Sequence, residues 1–254
     1  MDAQQAHDAQ LMPSKRTNPP PPAAQAPISA VPTALATPEP AAEASITPGA
    51  PGAQRKKTGS ADVAALIVSG QAELGLPHFA STLDDQNPNI ANQAIRVFEE
   101  VALLKPELCA PYIERMVRLL HSANPRMVQG SAQVLPMLAR VAPAKVARLL
   151  EKLRAGYDAT SDVAKEGTVR TFVALCLASV AYQKRVVDVF EKALGTAEPK
   201  TLVRFTELVL PALKGEPHAQ ARAVVEHRLP EIPRPQAEKI AELLGIRLRA
   251  SRAP

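Results

Sequence analysis

The chain has 254 residues, of which 46% are hydrophobic and only 3% aromatic, with no tryptophan. A core must therefore come from Leu, Val, Ala and Ile, which suits thin helical layers and argues against a β-sandwich rich in β-branched and aromatic side chains. Lys and Arg number 30 against 25 Asp and Glu, a net charge of +5 that permits an anionic partner without demanding one.

In chain order, residues 1–59 form the first region. They hold 11 of the 25 prolines, including the run Pro19-Pro20-Pro21-Pro22, and almost no Leu, Phe or Tyr. Such a segment cannot bury enough apolar surface to offset its conformational entropy, so a disordered Pro/Ala-rich tail with polyproline-II character is expected. The basic cluster Arg55-Lys56-Lys57 precedes the folded part. No apolar targeting segment occurs in the first thirty residues, and no apolar run approaches the roughly 20 residues of a membrane span. The two cysteines, Cys109 and Cys176, form no disulfide framework and no metal knuckle. A cytoplasmic protein is the expectation.

From residue 60 to 250 the apolar residues recur at i, i+3 and i+4, the spacing of amphipathic helices, and sustained alternation is absent. Residues 61–85 read as a capping pair of helices broken at Gly70 and Gly75-Leu76-Pro77. Beyond them the sequence repeats with a period of about 37 residues. Phe98 steps to Leu135, Phe172 and Val209, while Val101 steps to Leu138, Leu175 and Ala212. Val97 steps to Val134, Thr171 and Leu208. Ala94 steps to Ser131, Thr168 and Phe205, and the small members of that column predict close approach of facing helices. Asn87-Pro88, Asn124-Pro125 and Glu198-Pro199 mark equivalent helix starts. The units span about 86–122, 123–159, 160–196 and 197–232, with a short C-terminal cap to 250.

Each unit contains helix A, a turn and helix B. The A helices are expected near 109–122, 144–155, 183–195 and 217–229, and the B helices near 89–104, 126–141, 162–180, 200–214 and 235–248. Pro136 and Pro211 are expected to bend their B helices. Their separation of 75 suggests a one-residue slip in the fourth unit, and a long loop at 155–162 weakens the register of the third.

The helix pairs, the turn Asn-Pro and the string Arg126-Met127-Val128-Gln129-Gly130-Ser131-Ala132-Gln133-Val134-Leu135 resemble HEAT-repeat proteins, the small bacterial ones in particular. The resemblance covers residues 61 to about 249. It implies an all-α, right-handed α-solenoid of stacked antiparallel helix pairs (an ARM-type fold) whose B helices line a concave face, and a binding scaffold as the usual role. HEAT-like DNA glycosylases form an enzymatic branch that relies on Trp and Tyr around a catalytic Asp. With only Tyr112, Tyr157 and Tyr182, stacking platforms are scarce here.

No catalytic or metal-binding motif is present. The histidines His7, His78, His121, His218 and His227 form neither HxH nor HExxH, and no phosphate-binding glycine loop or nucleophile elbow occurs. No cofactor is expected, and the chain reads as a non-enzymatic protein-interaction scaffold.

On the B helices, the positions opposite the apolar face form two ladders. One is Arg96, Gln133, Arg170 and Glu207; the other is Asn92, Gln129, Glu166 and Val203. Mixed amides and charges suit a polypeptide partner. Val173, Leu177 and Leu210 are expected as an apolar contact patch or as residues covered by the 155–162 loop. Nucleic acid is the rival partner. Arg115, Arg118, Lys145, Arg148, Lys152, Arg154, Lys184, Arg185 and Lys192 on the A helices, with Arg247, Arg249 and Arg252, would carry it unless the interspersed Glu114, Glu151, Asp188 and Glu191 pair with them.

Overall fold

The structure, a computed structural model, describes residues 59–247. The expected disordered tail and its basic cluster lie outside the described residues, as do Arg249 and Arg252. The described chain is all-helical. α1 (Ser60–Ser69) starts at Gly59 and ends at Gly70, whose φ of 75° requires the left-handed conformation that glycine adopts without strain. α2 (Leu76–Thr82) follows, with Pro77 in its first turn.

The B helices are α3 (Pro88–Leu104), α5 (Pro125–Val141), α8 (Asp162–Ala178), α10 (Pro199–Val209) and α12 (Arg234–Leu244). The first four begin 37 residues apart, and α3, α5 and α8 are each 17 residues long. Local chemistry sets these starts. Asn87 Oδ1 accepts the Asn89 N–H and Asn124 Oδ1 accepts the Arg126 N–H, both at 3.0 Å, and each helix opens with proline, whose missing donor costs nothing there. In the third copy Ser161 caps instead, its Oγ accepting the Ala164 N–H at 3.4 Å.

The register of α8 is therefore in step with α5 despite the loop before it. That loop is Tyr157 to Ser161, the same length as Leu120 to Asn124 ahead of α5. The A helices are less regular. A 3-10 stretch, Pro106–Tyr112, precedes α4 (Ile113–Leu119), with Pro111 inside it. The second A segment divides into α6 (Pro143–Ala147) and α7 (Leu150–Gly156), where the Leu149 N–H donates to Val146 three residues back at 2.9 Å. α9 (Gln183–Thr196) and α11 (Glu216–Arg228) are unbroken.

α3 packs on α5, α5 on α8, α8 on α10, and α10 on α12. The core lies between these helices and the A segments. Phe98, Leu135, Phe172 and Val209 are all fully buried, as are Val101, Leu138 and Leu175. Burying each such side chain contributes about 1.5–3 kcal/mol. Phe98 meets Tyr112, and Phe172 meets Phe190, edge to face, linking B helices to A segments. Cys109 and Cys176 are buried within this core, and burial pushes each thiol up to about 12.

The two interior prolines behave differently. α5 runs through Pro136 without interruption, whereas α10 ends at Val209 and passes into a 3-10 turn, Leu210–Ala212, that holds Pro211. The expected slip is absent from α10 itself, since Glu207 still occupies an exposed position equivalent to Arg170. Pro211 falls one position beyond Leu210, the equivalent of Pro136 two steps of 37 earlier.

Close approach occurs one position before the small-residue column. Ala94, Ser131 and Thr168 are buried. The tight contacts are made by Gly130 against Ile95 and by Gly167 against Ala132. The Ser131 and Thr168 hydroxyls instead donate within their own helices, to Val128 O and Ala164 O.

Candidate functional site

Arg96, Gln133, Arg170 and Glu207 are all exposed, as their common face on four successive B helices requires. The second ladder is largely engaged within the protein. Asn92 is half-buried and its Oδ1 accepts from Asn124 Nδ2 at 3.0 Å. Glu166 is half-buried between Arg170 and Arg204, at 2.8 and 3.0 Å. Val203 is buried, so among these four only Gln129 is exposed.

Between α5 and α8 the B-helix face opens into two adjoining grooves of about 410 and 500 Å³ that share Gln133 and Arg170 as lining residues. The first has a mainly aliphatic lining, including Leu103, Pro136, Met137, Val173 and Leu208, edged by Glu99, Arg140 and Arg170. The second continues toward the helix starts, past Gln129 and Glu166 to Pro125 and Val163. Glu99 is held by a two-pronged ion pair with Arg126.

The expected apolar patch is corrected. Val173 and Leu210 are buried, each 7% exposed, while Leu177 is 62% exposed. The 155–162 loop is not what covers Val173. That side chain lies in the groove wall with Met137 and Leu208, whereas Ala159, Thr160 and Ser161 border a separate hollow beside His121 and Pro125. α8 is apolar nearly all round because α5, α9 and α10 each pack against it. Arg140, Met137, Leu208 and Leu103 were not among the expected site residues. The signal for Leu103 and Arg140 is their separation of 37 along the ends of the B helices, Leu208 stands in the core column of Val97, and Met137 carries no such signal.

The basic residues of the A segments divide into two groups. Arg115 pairs with Asp84 at 2.8 Å, Arg154 with Asp188 at 2.5 Å, Lys192 with Asp158 at 2.5 Å, and Arg185 with Glu151 at 3.4 Å. Three of these lateral bonds, and that from Arg228 to the Leu194 carbonyl, join residues 34 apart. The hydrogen bond that Arg154 donates to the Asp188 carboxylate raises the guanidinium pKa above its usual range. Arg118, Lys145, Arg148, Lys152 and Lys184 make no ion pair among the described residues.

Among the described residues no three His, Cys, Asp or Glu side chains are grouped to hold a metal, and no helix is long and apolar enough to cross a membrane. Fold and groove together define, over the described residues, an all-helical architecture with an open, aliphatic channel across its longest helices. No protein-family model matches the chain, and no curated protein matches it. Its fold is similar to that in the crystal structure of an engineered protein solved by a structural-genomics consortium. That likeness has a TM-score of 0.54 at 15% identity and covers 73% of this chain and 84% of the other.

Proposed function

We propose that residues 60–250 form a right-handed α-solenoid of the HEAT-repeat kind and serve as a non-enzymatic scaffold that holds a peptide or protein on the concave B-helix face. The groove spanning α5 and α8 at Gln133 and Arg170 carries this reading, because it joins an aliphatic floor to exposed amide and guanidinium groups. The 37-residue step of the first four B helices and the packing of all five in succession support the repeat architecture. The likeness to the engineered protein supports the fold alone.

Capture of cellular partners by the full chain, across a salt series and with nuclease, tests the reading. The expected result is a discrete protein partner that resists nuclease and is lost on Arg96→Glu with Arg170→Glu. Unchanged capture by that double variant would remove the assignment to this face. Retained nucleic acid that falls steeply with salt would favour the unpaired cations of the A segments instead.

A further inference from the structure

We infer that the groove takes a linear peptide in which a carboxylate side chain stands beside a bulky aliphatic one, with Arg140 and Arg170 receiving the carboxylate. This rests on the scaffold reading and adds the chemistry of the ligand. The charges around the groove are unevenly matched. Glu99 is occupied by Arg126, and Glu166 is shared by two guanidinium groups, those of Arg170 and Arg204. Arg140, exposed at the end of α5, has no carboxylate partner among the described residues. The groove thus holds more guanidinium than its own carboxylates can satisfy, and a planar guanidinium binds a carboxylate through two parallel N–H donors.

The floor selects the neighbouring side chain. Met137, Val173 and Leu208 are aliphatic or thioether groups, and Met137 can repack around a branched ligand side chain. Among the described residues no aromatic side chain lines the groove, so a base has no ring to stack on, and a guanidinium surplus by itself gives a phosphate backbone only unspecific attraction. An extended peptide fits both features. Alternate side chains of such a strand point to opposite sides, which lets one enter the aliphatic floor while the next meets an arginine at the edge.

A random 12-residue peptide library, selected on the full chain and counted by sequencing, tests the inference. Enriched peptides should carry Asp or Glu next to Leu, Ile, Val or Met. The best of them should bind about tenfold or more weakly to Arg140→Glu, the loss expected for reversing one partner of a charge pair, with Arg148→Glu on the A side as the unaffected control. Circular dichroism melting confirms that each variant folds. Enriched peptides that lack acidic residues, or that ignore Arg140→Glu yet are blocked by Gln133→Trp, would overturn this inference and leave the scaffold reading intact. Peptides indifferent to every B-helix substitution, or no enrichment at all, would overturn both. Tight binding of a thymidine 20-mer that Gln133→Trp abolishes would identify the groove as a nucleic-acid site and overturn the peptide assignment.

Discussion

Gly167 of α8 stands against Ala132 of α5 with no space for a methyl group between them. A Cβ at position 167 would lie 2.4 Å from Ala132 Cβ, 2.6 Å from its Cα and 3.0 Å from its carbonyl oxygen. Pro136, one turn further along α5, has no N–H to give that carbonyl. The proline and the glycine thus meet at the same seam, the one above which the groove opens.

The first prediction is an ordering of glycine substitutions. Gly167→Ala meets backbone and should destabilise by about 1–2 kcal/mol, overpacking outweighing the gain in helix propensity. Gly130→Ala meets the fully buried Ile95 side chain, Cγ1 at 2.3 Å, and the Glu99 carboxylate at 3.0 Å, and should cost about as much, because a buried β-branched side chain has little room to give way. Gly156→Ala meets only the exposed His121 ring and should be nearly neutral. Urea denaturation of the three variants measures the order. Ala132→Gly removes the Cβ contact but not the backbone ones, so it should rescue Gly167→Ala only in part and leave Gly130→Ala unchanged.

Gln183 gives a second test. It is buried, its Nε2 donates to Ala212 O at 2.9 Å, and its Oε1 accepts the Lys214 N–H at 3.0 Å. This amide ties α9 to the segment that leaves the Pro211 turn. Gln183→Leu should cost about 1–3 kcal/mol by stranding those backbone groups. Hydrogen exchange at residues 212–215 should accelerate more than elsewhere.

The contrast between Phe172 and Leu177 tests the corrected α8 surface. Phe172→Ala empties a fully buried site and should cost about 3–5 kcal/mol. Leu177→Ser changes a side chain that is mostly in solvent and should stay within about 0.5 kcal/mol of the parent. Thermal and urea unfolding compare the pair.

Alkaline pH provides the fourth prediction. Burial raises Cys109 and Cys176 from 9.0 to about 12 and, with help from Asp158 and Asp162, raises Tyr157 from 10.0 to about 12. The folded state therefore prefers the protonated forms. Their contribution is fully present below about pH 9 and is lost as pH rises from there through about 12. Denaturant midpoints measured from pH 8 to 11 should hold steady and then fall. Neither thiol should react with an exposed-thiol reagent at pH 8 while the chain is folded.

The B helices were readable in the sequence because their information is local: Asn-Pro starts, a 37-residue step and apolar columns such as Phe98, Leu135 and Phe172. The A segments were less readable, since Pro106 and Pro111 impose a 3-10 path that periodicity alone does not register. The exposed ladder through Arg96 and Arg170 followed from helix geometry. Which polar residues stay unpaired did not, because Glu166 and Asn92 find partners more than thirty residues away, Arg204 and Asn124. Val173 is buried, one of the two outcomes expected of it, but not by the 155–162 loop. A helix packed on several sides buries positions that a single amphipathic face would expose.

The proposed peptide site is the seam between α5 and α8 on the B-helix face. Hydrogen–deuterium exchange of the full chain, with and without a peptide enriched from the random library, tests it most directly. Slowed exchange should concentrate in residues 129–141 and 166–177, with α9 and α11 unchanged. Protection confined to α9 and α11, or absent from both B-helix segments at saturating peptide, would rule out this seam as the binding surface.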